Sequence, residues 1–138
     1  LLLGQYAQTS RLIDNSTNRG LVVADTNSLV TKAYYDYYLK ESPVQDEETD
    51  TFDNLFASIL SKEKWDLILF AEPIGAYVND GFRDMSMADE AIRSDFSSHL
   101  KRLKEQCLAH IPMVYLAGSY LDNYQAAKEA IDMIYQAD

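Results

Sequence analysis

Three short aliphatic runs constrain this chain more than any other feature. LVVAD at 21 to 25, WDLILFAE at 65 to 72 and MVYLAG at 113 to 118 are nearly continuous in Val, Ile, Leu, Phe and Ala. They lack the polar alternation of a strand with one wet face, so they read as strands buried on both faces, which requires helices on either side of a sheet. The sequence between them supplies those helices. Leu1, Leu2, Leu3, Tyr6, Leu12 and Ile13 recur at roughly helical spacing and predict a helix over about 1 to 16, with NSTNRG at 15 to 20 as its stop. Asn27 and Ser28 can cap a second helix to about Leu39, whose apolar side carries Leu29, Val30, Ala33, Tyr34 and Tyr37. KESPVQDEETD, acidic and holding Pro43, predicts a solvated loop, and FDNLFASIL at 52 to 60 returns to helical spacing. A long amphipathic helix carries Ala91, Ile92, Phe96, Leu100, Leu103, Cys107 and Leu108, and a last one carries Leu121, Tyr124, Ala127, Ala130, Ile131 and Ile134.

Strands alternating with helices predict an α/β fold with a mostly parallel sheet. Ligands collect beyond the carboxyl ends of such strands, which predicts Asp25, Glu72 and Gly118 along one rim. A length of 138 residues, 47% of them apolar, fits one globular domain. Three strands are few for a complete domain of this class, and the chain opens on Leu1 inside a helical pattern. It is therefore expected to be a piece of a longer domain.

Twenty-two acidic against twelve basic side chains give a formal charge of −10, which argues against non-specific attraction to nucleic acid or to an anionic membrane. Any phosphate must be met by a few placed cations or by magnesium. Cys107 is the sole cysteine, so no internal disulfide forms and a reducing, cytoplasmic setting is expected. No apolar run approaches the ~18 residues of a spanning helix, and no basic segment leads into a signal-type apolar one, so no membrane insertion is expected.

Several stretches carry candidate chemistry. A carboxylate at a strand tip, as at Asp25, can hold magnesium through water or accept a proton from an attacking hydroxyl; it can equally end a strand and start a turn. In AYVNDGFRD, Ala76 to Asp84, Arg83 offers a planar fork suited to phosphate, with Arg93 ten residues on, and the placement suits a closing lid. NDG is also a common turn, and arginines in acidic proteins often sit in surface ion pairs. AGSYLDNY, Ala117 to Tyr124, passes from strand to helix through small residues, which suits either an adenine ring against backbone or an ordinary cap on Ser119. His99 and His110 stand far apart without Cys or His at ligand spacing, so no zinc site is expected. Ser58, Ser97 and Ser98 have no partner base or elbow motif. The ten tyrosines, dense in AYYDYYL, read as packing because the charge around them is acidic.

Taken in order, Asp25-Thr26 with Thr31, the Tyr77 to Arg83 segment after a buried strand, and Ser119-Tyr-Leu-Asp-x-Tyr124 resemble the kinase domain of NadR-type nicotinamide riboside kinases. The similarity runs over nearly the whole chain from Gly4-Gln5. The resemblance implies a three-layer P-loop fold that phosphorylates the ribose 5′-hydroxyl of nicotinamide riboside with ATP and Mg2+. It implies Asp25 as the Walker B-type carboxylate and metal ligand, and Arg83 as the lid arginine. Thr26, Arg93 and the Gly118, Ser119, Tyr120 loop fall on the ATP side, and Asn27, Thr31, Tyr77 and Asp80 on the nucleoside side. Tyr77, Asn27 and Asn123 stand where the family often carries Trp, Asp and Arg. The phosphate-cradling G-x-x-x-x-G-K-[ST] run is absent from these residues, so the expected fold is incomplete, lacking the first strand, the P-loop and its helix. Without that strand the sheet has a gap at its centre, which predicts association into a homodimer or larger assembly. The alternative function is a regulatory ATP- or nucleotide-binding module of a transcriptional regulator without kinase turnover.

Overall fold

A computed structural model of the chain describes residues 1–15, 20–39, 47–73, 77–81 and 85–137. The chain divides into two compact units, Leu1–Glu63 and Lys64–Asp138.

In the first unit three helices pack on one another: α1 (Leu2–Asp14), α2 (Ser28–Leu39) and α3 (Glu47–Leu60). Their shared core is Leu2, Leu29, Ala33, Phe56 and Ile59. Leu29 and Ala33 are four apart and Phe56 and Ile59 three apart, the spacings that put side chains on one helix face. Tyr35 of α2 stacks on Phe52 of α3 with ring centroids 3.6 Å apart. Beside that stack, Lys32 Nζ reaches Asp36 Oδ1 at 2.6 Å and Asp53 Oδ1 at 2.8 Å, tying α2 to α3. Burial works to lower the Lys32 pKa, but hydrogen bonds and charge from Asp36 and Asp53 outweigh it, and the ammonium lies above the ordinary lysine value.

The strand expected at 21 to 25 does not form. Residues 21–24 are without strand pairing, with Leu21 and Val23 exposed and Val22 and Ala24 half-buried. A strand exists only through the backbone hydrogen bonds of a neighbour, and among the described residues none lies alongside. The expected loop at 40 to 50 needs a second correction: residues 40–46 lie outside the described residues, and Glu47 already begins α3. Acidic sequence reads as loop by composition, yet a helix N-terminus favours it. Residues 16–19, where the first helix is expected to stop, also lie outside the description; α1 itself ends at Asp14.

The α/β character resides in the second unit, which runs β1 (Ile68–Ala71), a 3-10 turn (Met85–Ala88), α4 (Glu90–Cys107), β2 (Met113–Leu116) and α5 (Tyr120–Ala137). β1 and β2 pair in parallel, Ile68 with Met113 through Ala71 with Leu116. Ile68 N donates to Pro112 O at 3.0 Å and Glu72 N to Leu116 O at 3.1 Å, extending the ladder at both ends. Among the described residues the sheet thus has two strands instead of three. Its core comprises Phe70, Met87, Leu103, Leu108, Ile111 and Ala130. Asp89 caps α4, its carboxylate accepting from Ala91 N at 2.7 Å and Ile92 N at 3.4 Å. Among the described residues no helix is long and apolar enough to cross a membrane.

Candidate functional site

In the first unit the candidate residues lie on the turn from the apolar segment 21–24 into α2. Asp25 is exposed, and among the described residues no partner holds its carboxylate. Thr26 adopts φ 67°, in the left-handed region. A β-branched side chain there costs on the order of 1–3 kcal/mol and persists only where surrounding contacts impose it. Those contacts are visible. Gln5 of α1 donates from Nε2 to Thr26 Oγ1 at 2.9 Å, and Thr31 Oγ1, one turn into α2, donates to Gln5 Oε1 at 3.2 Å. Asn27 caps α2, its Oδ1 accepting from Leu29 N at 3.1 Å, and buried Ser28 donates to Glu63 Oε2 at 2.7 Å. Asp25 therefore stands before a strained residue and a capped helix start, while Asn27 and Thr31 spend side-chain bonds inside the fold.

In the second unit Glu72 and Gly118 lie just past the carboxyl ends of paired strands, as expected of the rim. Glu72 is held from α4, by an ion pair with Lys101 and by Ser97 Oγ donating to Oε2 at 3.3 Å. The Lys101 ammonium also lies 5.2 Å from the ring centroids of both Phe70 and Tyr115, binding α4 to the two strands. The Gly118–Tyr120 loop is a closed capping arrangement. Ser119 N and Oγ donate to Asp122 Oδ2 at 3.2 and 2.6 Å, and Asp122 N donates back to Ser119 Oγ at 3.3 Å. Asn123 closes a two-point contact with Gly118, accepting from its N at 2.9 Å and donating to its O at 3.2 Å. The Ser119 hydrogen bonds hold the Asp122 carboxyl below its ordinary pKa. The backbone donors of Gly118 and Ser119 are thus engaged, and Tyr120 is 90% exposed.

The segment beginning at Tyr77 is described in part. Asn79 Oδ1 accepts from Gly81 N at 2.9 Å, and Gly81 takes φ 82°, so NDG forms the turn its composition suggests, with Asp80 exposed at its centre. Arg83 lies outside the described residues. Arg93 donates from Nη1 to Met87 O at 3.0 Å and Ala88 O at 2.6 Å, and its guanidinium lies 5.6 Å from the Tyr77 ring centroid. It joins Tyr77, the 3-10 turn and α4, a structural use of one of the two arginines expected at phosphate.

The sequence matches the AAA domain family over residues 2–122, most of the chain. The chain belongs to the AAA domain family. No curated protein and no solved structure matches it. An AAA domain is of the P-loop NTPase type, which makes this a nucleotide-binding domain by family.

P-loop NTPases generally use ATP with magnesium, and of that pair the described residues bear on the metal alone, through the exposed Asp25. Magnesium keeps several waters and is usually held by one or two carboxylates together with substrate phosphates, and an exposed carboxylate such as Asp25 is of the kind it takes. Among the described residues of this AAA domain no three His, Cys, Asp or Glu side chains gather to cage an ion. Sequence reasoning gave Gln5, Lys101 and Asn123 no site role. Ser119-x-x-Asp122 carries a recognisable capping pattern, whereas nothing local marks Gln5, whose partners are 21 and 26 positions away.

Proposed function

We propose that this AAA domain belongs to a nucleoside kinase that transfers the γ-phosphoryl group of ATP to the ribose 5′-hydroxyl of nicotinamide riboside, forming nicotinamide mononucleotide in NAD salvage. The observation that carries this reading is Asp25, an exposed carboxylate at the end of an apolar segment, followed by a strained Thr26 and the capped start of α2. Asp25 would hold Mg2+, with Thr26 beside it, and magnesium when bound would neutralise the transferring phosphates. Asn27, Thr31, Tyr77 and Asp80 would border the nucleoside. Arg83, with Arg93 behind it, would meet phosphate across a lid, and Gly118, Ser119 and Tyr120 would lie beside adenine. The proposed setting is cytoplasmic, and the proposed assembly a homodimer or larger, supported by the exposed Leu21 and Val23 in one unit and Tyr120, Leu121 and Tyr124 in the other.

Asp25→Asn tests the reading in the full-length protein. It should lower nicotinamide riboside phosphorylation by about 10²- to 10⁴-fold while ATP still binds. Unchanged turnover overturns it. A second reading, a regulatory ATP-binding module without turnover, is favoured by how many candidate groups are already engaged: Asn27, Thr31, Arg93 and the backbone donors of Gly118 and Ser119. Under that reading the full-length wild-type protein binds ATP and phosphorylates no nucleoside.

A further inference from the structure

We propose that Gln5 is a positioning residue, whose side-chain amide clamps Thr26 and Thr31 and thereby fixes the left-handed turn that follows Asp25. The inference rests on the kinase reading above. A primary amide offers a donor at one end and an acceptor at the other. Gln5 uses both, donating to the Thr26 hydroxyl at 2.9 Å and accepting from the Thr31 hydroxyl at 3.2 Å. One contact holds the residue whose backbone is strained; the other holds the first turn of the helix that this residue leads into. The amide therefore spans the bend from both sides. A left-handed β-branched residue relaxes toward the extended region unless its side chain or its neighbours forbid it. Releasing the Thr26 hydroxyl removes a restraint on φ at the residue adjacent to the proposed magnesium ligand. Leucine at position 5 has a helix propensity close to that of glutamine, so α1 is kept, but it supplies neither bond. The expected consequence is a displaced Asp25 carboxylate in a protein that remains folded.

The test uses the full-length protein with 13C,15N-labelled threonine, comparing wild type, Gln5→Leu and Gln5→Asn. In Gln5→Leu the Thr26 Cα and Cβ shifts and its HN–Hα coupling should leave left-handed values. In Gln5→Asn, which keeps the amide but is one methylene short, they should move part of the way. With Mg-ATP and nicotinamide riboside, kcat should fall by about tenfold to a hundredfold in Gln5→Leu, with KM for the nucleoside little changed. In a Thr26→Gly background, where glycine accepts the conformation without strain, Gln5→Leu should cost little more. Thr26 signals that stay left-handed in both single variants overturn the proposal, as does an equal kcat loss in the two backgrounds. A wild-type protein without nucleoside turnover refutes the kinase reading alone, because the threonine signals decide the clamp by themselves.

Discussion

A methyl group added at residue 118 meets the fold almost at once. An alanine Cβ there would lie 2.9 Å from Asp122 Cβ, a backbone-proximal atom that cannot swing aside, whereas one at residue 4 meets nothing within 4 Å. Gly118→Ala should therefore destabilise the second unit by about 1–3 kcal/mol, and Gly4→Ala, inside α1, should stabilise the first by up to about 1 kcal/mol. Denaturant titration of the two variants reads both signs; destabilisation at residue 4 or indifference at residue 118 would contradict the geometry. The same contrast marks what a sequence discloses at this scale. Asn27 announces its role, because Asn just before a helical pattern is among the favoured caps, and its Oδ1 accepts from Leu29 N. Gln5 and the left-handed Thr26 do not, because a side chain that works across 21 positions leaves no local pattern and threonine is an improbable residue at positive φ.

At the scale of elements, the run of residues 120–137 into a single helix depends on how its first turn is closed. Hydrogen bonds from Ser119 depress the pKa of Asp122, so this contribution is complete above the ordinary carboxylate value of 3.8 and disappears as pH falls through the depressed folded value. The stability difference between wild type and Asp122→Asn should accordingly be present at about pH 6 and vanish in strong acid. Thermal unfolding of both proteins across that range checks it, and a difference that persists in strong acid would remove the cap from the account. Elements whose partners are local were legible: α2 and α5 follow from periodicity and caps, α4 from periodicity, and β1 and β2 from aliphatic runs. LVVAD carries an equally strong strand pattern and forms no strand, because such a pattern specifies what a segment would bury without supplying the neighbour it must pair with.

At the scale of the whole chain, exposed aliphatic and tyrosine side chains in each unit bear on association. Leu121 and Tyr124 on α5 and Val23 before α2 remain more than half exposed, at 62%, 60% and 71%. Self-association should cover part of this surface, and light scattering at micromolar concentration should return a mass above 15.7 kDa for this chain. A stable monomer would set that aside. The parallel pairing of β1 with β2 has a kinetic consequence. Ile68 meets Met113 after roughly 45 intervening positions, so the ladder can form only after a long loop has closed, at an entropic cost no local contact repays. α4 lies inside that loop and needs none of it for its own backbone bonds, so helix precedes sheet as this unit folds. For that interval both edges of each strand are open to any other chain nearby, and the crowding of newly made copies is a hazard that pairing β1 with β2 removes from one edge of each strand.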